Sequence, residues 1–128
     1  MALVLAAALQ SHSPSCEQLL VALGEQDLIT LTGFVGRDFR HNELWISDFG
    51  CGEDRHILLY FRYDDVRDTP EGRRAIEAIE DAEMAAIREG RLHVPNTGLK
   101  VRVIGRVAQN STLHPLNVES LELVEGSQ

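Results

Sequence analysis

The sequence is short of the features that most readily announce a function. Two cysteines, Cys16 and Cys51, are too few and too far apart to frame a metal site or a disulfide scaffold. They read as reduced thiols. No apolar run reaches the ~18 residues of a membrane span. Basic charge is scarce: eleven Arg and one Lys, Lys100, stand against twenty acids, for a net charge of −8. That balance excludes a wholesale basic coat for nucleic acid and leaves room for a local basic face. There is no Gly-rich phosphate loop, because Gly50-Cys51-Gly52 lacks the following helix and Lys. A nucleophile elbow is missing too. The histidines at 12, 41, 56, 93 and 114 have no ligand spacing, and His41, Cys51 and His56 do not make the four-ligand set of a structural zinc. The acids Asp64, Asp65 and Asp68 read as helix-end solvation rather than a cation site. Neither an enzyme, a cofactor nor a metal is expected.

What is present fits one soluble domain. The chain has 128 residues, of which 44% are hydrophobic and 25% charged. Internal repeats and low-complexity tracts are absent. The apolar run Ala2–Leu9 has no Lys or Arg before it. It therefore reads as a first helix or strand packed on the domain, with a cleaved leader as the alternative. A cytoplasmic location is expected. Ser13 and Pro14 suit a helix start, and apolar residues at 16, 19, 20 and 23 recur at helical spacing until Gly24. Residues 1–27 thus form an N-terminal helical extension, and residues 28–128 the main domain.

From Leu28 the apolar period becomes two, which is the signature of strands. The strands are expected over 28–36, 43–49 and 55–63. They are joined by a polar hairpin loop at 37–42 and a turn at 50–54. The helical period then returns, with Ala75, Ile76, Ile79, Ala82, Ala86 and Ile87 on one stripe. Asp68 and Glu71 have capping-box spacing, Pro70 sits in the first turn, and Gly90 closes the helix. Two further strands are expected over 99–107 and 116–124.

Three strands, a helix and two strands, carried by Leu31-Thr-Gly-Phe-Val35, Leu44-Trp-Ile-Ser-Asp48, Val101-Arg-Val-Ile-Gly-Arg-Val107 and Leu116-Asn-Val-Glu-Ser-Leu-Glu-Leu123, resemble the OB-fold. The resemblance spans residues 28–124. It implies a mainly β fold, a five-stranded Greek-key barrel with a long helix between strands 3 and 4, and a helical extension at the N-terminus. An open α+β sandwich of the same strands is the rival fold.

Alternation places aliphatic residues of each strand inside and leaves Phe34, Trp45, Tyr60, Arg62, Arg102 and Arg106 outside. Rings that stack on bases and guanidiniums that neutralise phosphates suggest single-stranded nucleic acid as ligand. The same Trp, Tyr and Arg types also favour a protein partner or a homodimer, as in an assembly module. Residues 64–89 hold nine acids against four bases, so the acidity is concentrated on the long helix.

Overall fold

The computed structural model describes residues 16–47, 49–50, 55–109 and 111–124. The run Ala2–Leu9, the helix-start residues Ser13 and Pro14, and Cys51 lie outside these residues. The elements in chain order are α1 (Cys16–Ala22), β1 (Leu28–Asp38), β2 (Glu43–Ser47), β3 (His56–Tyr60), α2 (Tyr63–Val66), α3 (Pro70–Arg88), β4 (His93–Val94), β5 (Lys100–Val107) and β6 (Leu116–Leu123).

The strands close into a ring. β1 pairs antiparallel with β5 through Leu28–Phe34 and with β2 through Phe34–Asp38. β2 pairs with β3, β3 runs parallel to β6, and β6 returns antiparallel to β5. β4 is a short spur on Arg37 and Asp38. β1 can serve two neighbours because it is long and changes partner at Phe34. Gly33 precedes that point, and a Cβ there would meet the carbonyl of Ser47 and the side chain of Ile46. A register shift opposite Ile104 and Gly105 leaves Glu119 as an extra residue in β6.

The inward set from the strands is aliphatic: Val35, Leu44, Ile46, Ile57, Leu59, Val101, Val103, Val107, Leu116 and Leu121 are all buried. Ala75, Ile76 and Ile79 of α3 and Leu20 of α1 join the same cluster. Burying an aliphatic side chain contributes about 1.5–3 kcal/mol, so this cluster is the main source of stability. α1 is tied down by polar contacts as well. Gln109 Nε2 donates to the carbonyls of Leu20 and Leu23 at 3.2 and 2.6 Å. Among the described residues no helix is long and apolar enough to cross a membrane.

Several element boundaries differ from the sequence reading, each for a local reason. Six strands form, because His93–Val94 adds a two-residue strand that is too short to show a period. β3 stops at Tyr60. Asp64 and Asp65, in the first turn of α2, favour a helix N-terminus there. The N-cap of α3 is Thr69 rather than Asp68, and its hydroxyl accepts from Gly72 N at 3.0 Å. Ile87 is 51% exposed although it shares the face of Ile76, so the core ends before the helix does.

Candidate functional site

Three adjoining clefts lie along β2 and β3. The first, about 590 Å³, lies between the β1–β2 hairpin and β3; Arg37, His41, Asn42, Tyr60, Tyr63 and Glu83 are among its lining residues. The second, about 270 Å³, is lined by Asp38, Trp45, Ser47, His56, His93 and Pro95. The third, about 400 Å³, includes Leu20, Arg55, Thr112, Leu113 and His114. Glu43 lines all three, and His56 and Leu58 line two each. The clefts thus adjoin one another, and together they are called the groove.

The sequence-predicted residues distribute unevenly around it. Trp45 lies on the opposite face of β2 from Ile46, as alternation requires, but it is only 6% exposed. The expectation of an outward, accessible indole is overturned. The missing side chain of Gly36 lets the indole approach β1 closely, since a Cβ there would strike Trp45 Nε1 and the carbonyl of Pro95. His56 and His93 flank it, with ring centroids at 5.2 and 5.6 Å. Tyr60 is half exposed and lines the groove. Arg62 is exposed at the N-cap position of α2.

The remaining three lie elsewhere. Phe34 is partly buried on β1, with Lys100 Nζ 6.0 Å from its ring centroid. Arg102 and Arg106 pair across strands with Glu122 and Glu119 at 2.9 and 2.8 Å, and Arg106 also donates to the carbonyl of Gln26. The predicted set of six is thus split. Tyr60 and Trp45 belong to the groove wall and floor, whereas Arg102 and Arg106 are occupied on β5.

Two clusters that the sequence reading missed anchor the groove. In one, the buried carboxylate of Asp38 accepts from the backbone N–H groups of Arg40 and His41 at 2.9 and 3.3 Å. His41 Nδ1 and His93 Nδ1 approach its Oδ2 to 3.0 and 3.4 Å. The hydrogen bond with His41 leads the causes that hold the Asp38 carboxyl down at about 2, so it stays ionised. In the other, Arg37 Nε lies 3.0 Å from Glu83 Oε2, close enough for charge attraction. Nε is nevertheless buried without a hydrogen-bond partner among the described residues, while Nη2 donates to Asn42 Oδ1 at 3.2 Å. Tyr63 donates its hydroxyl to Glu83 Oε2 at 3.3 Å. Burial, with Glu83 nearby, pushes the Tyr63 phenol up to about 12. Burial also raises the Glu83 carboxyl.

These groups come from the end of β1, the hairpin, α2, α3 and β4. No local spacing links them, so only the residue types were visible in advance. Arg37 and His41 fell in a segment legible only as a polar loop. The arrangement supplies hydrogen-bond donors, one half-exposed ring and several imidazoles along a shallow track. Among the described residues no three His, Cys, Asp or Glu come together to hold a metal ion. No protein-family model, curated protein or solved structure matches the chain.

Proposed function

We propose that the chain is a non-catalytic binding module of the OB type that holds a single strand of nucleic acid in the groove over β2 and β3. The fold part of this reading is supported by the pairing order. β1 is bonded to β2 and β5, β3 lies parallel to β6, and a helix separates β3 from β5. Leaving aside the β4 spur, that order is the one a five-stranded Greek-key barrel would require, which supports the reading.

The observation that carries the ligand is the groove itself, with Tyr60 half exposed beside Arg37, His41 and Asn42. A ring and donors along a shallow channel suit a base and its flanking phosphates. The contact set is smaller than the sequence suggested, because Trp45 is covered and Arg102 and Arg106 have acidic partners. Affinity is correspondingly modest.

Fluorescence anisotropy with a labelled oligothymidylate at low salt tests the reading. Tyr60→Ala weakens binding about tenfold, within the roughly 1–3 kcal/mol of one stacked base. An unchanged affinity for the variant, or no binding by the unaltered chain, overturns it. A protein partner is the second reading, favoured by Met84 and Ile87, both about half exposed and one turn apart on α3. Recovery of a homodimer that Ile87→Glu dissociates supports that reading instead.

A further inference from the structure

Three histidines that are distant in the sequence converge on the groove. His41 comes from the β1–β2 hairpin, His56 from the start of β3 and His93 from β4. All three are exposed. We propose that these imidazoles are the phosphate-binding groups of the groove, so that a nucleic-acid strand is held when they are protonated and released when they are neutral. The inference rests on the nucleic-acid reading above.

The charge balance supports it. Among the described lining residues, Arg37 and Arg55 face Asp38, Glu43 and Glu83, one negative charge in excess. In that state the groove repels a polyanion. Protonating the three histidines turns the excess into two positive charges. Histidine is the side-chain type whose ordinary charge change falls between pH 5 and 8.

Each imidazole has identifiable charged neighbours. His41 and His93 share the single carboxylate of Asp38, with Arg40 Nε also 3.9 Å from it. One negative charge cannot offset two imidazoliums, and the surplus is available to a phosphate. His41 further shares its cleft with Arg37, Glu43 and Glu83. His56 shares its clefts with Arg55, Glu43, Asp38, His93 and His114. His114 is left out of the binding set because its Nδ1 is buried, with no hydrogen-bond partner among the described residues.

The test uses the unaltered chain and a fluorescein-labelled oligothymidylate of roughly a dozen nucleotides, within the span of one such domain. Binding at pH 6 is at least about tenfold tighter than at pH 8. With about three phosphates engaged, the slope of log affinity against log salt is steeper by about 2 at the lower pH. Titration calorimetry at pH 7, in two buffers of different ionisation enthalpy, registers proton uptake on binding. The triple variant His41→Gln, His56→Gln, His93→Gln loses the pH dependence and keeps the affinity seen at pH 8. Equal affinity at the two pH values with no proton uptake overturns the histidine inference and leaves the nucleic-acid reading standing. A triple variant that keeps the pH dependence also overturns it. No binding at either pH overturns the nucleic-acid reading, and the inference falls with it.

Discussion

The two outer faces of the strand ring treat charge in opposite ways. On β5 and β6, Arg102 meets Glu122 and Arg106 meets Glu119, each base matched by one acid on the neighbouring strand. In the groove beside β2 and β3, the carboxylate of Asp38 at the end of β1 is shared by two imidazoles and a guanidinium. Arg37 Nε there lies 3.0 Å from Glu83 Oε2, yet it is buried and makes no hydrogen bond among the described residues. A matched face has its polar groups satisfied from within the sheet and has little left to offer a ligand. A face where several bases share one carboxylate keeps basic groups that a ligand anion could still engage. The contrast directs attention to the groove over β2 and β3 even though the clearest basic residues of the strand pattern sit on β5.

The largest effect that separates the faces is structural. Trp45 and Gly36 form one packing unit beneath the groove, and β4 closes over it. Trp45→Ala opens a cavity and costs about 3–5 kcal/mol, measured as a fall in the denaturant midpoint. Gly36→Val is similarly destabilising, because its side chain would enter the space held by the indole. A comparable loss from Arg102→Ala on the matched face would remove the contrast.

A smaller effect concerns pH. Asp38 titrates at about 2 in the folded chain against 3.8 for an unperturbed carboxyl. The unfolded chain therefore takes up this proton first. The stabilisation from Asp38 is complete above about pH 4. It erodes as the pH falls and is gone below about 2. Asp38→Asn is accordingly less stable than the unaltered chain at neutral pH, and the gap between them closes in acid. Parallel acid-unfolding curves for the two proteins would show that the shared carboxylate does not organise this face.

Much of the architecture was legible in the sequence, for physical reasons that also explain what was not. Residues such as Val101, Val103 and Val107 announce a strand with one aliphatic face, because the period of two is a local property of the chain. α3 is legible for the same reason, its stripe repeating over five turns. β4 carries no such signal in two residues, yet it decides the fate of Trp45. Alternation correctly assigns the indole to the outer face, but it cannot say what covers that face. The covering residues His93 and Pro95 lie about fifty positions away. The groove clusters fail to show for the same reason: Arg37 and Glu83, or His41 and His93, meet only after the ring has closed. The pairing of Arg102 with Glu122 was likewise hidden, since it depends on the register of β5 against β6.

That pairing offers the smallest and most discriminating measurement. Arg102 and Glu122 sit directly opposite one another, each more than a third exposed at the side chain. A cross-strand ion pair in such a setting contributes about 0.2–1 kcal/mol, because water already solvates both charges and ordering two long side chains costs entropy. A double-mutant cycle with Arg102→Ala and Glu122→Ala is expected to return a coupling in that range, shrinking as salt is added. The same cycle also reports on function. If the matched face takes no part in binding, Glu122→Ala, which frees Arg102, tightens the oligonucleotide only through the net charge, and Arg102→Ala leaves its affinity within about twofold. A loss of tenfold or more on removing Arg102 would instead place a phosphate on β5. The satisfied face and the ligand face would then be one and the same.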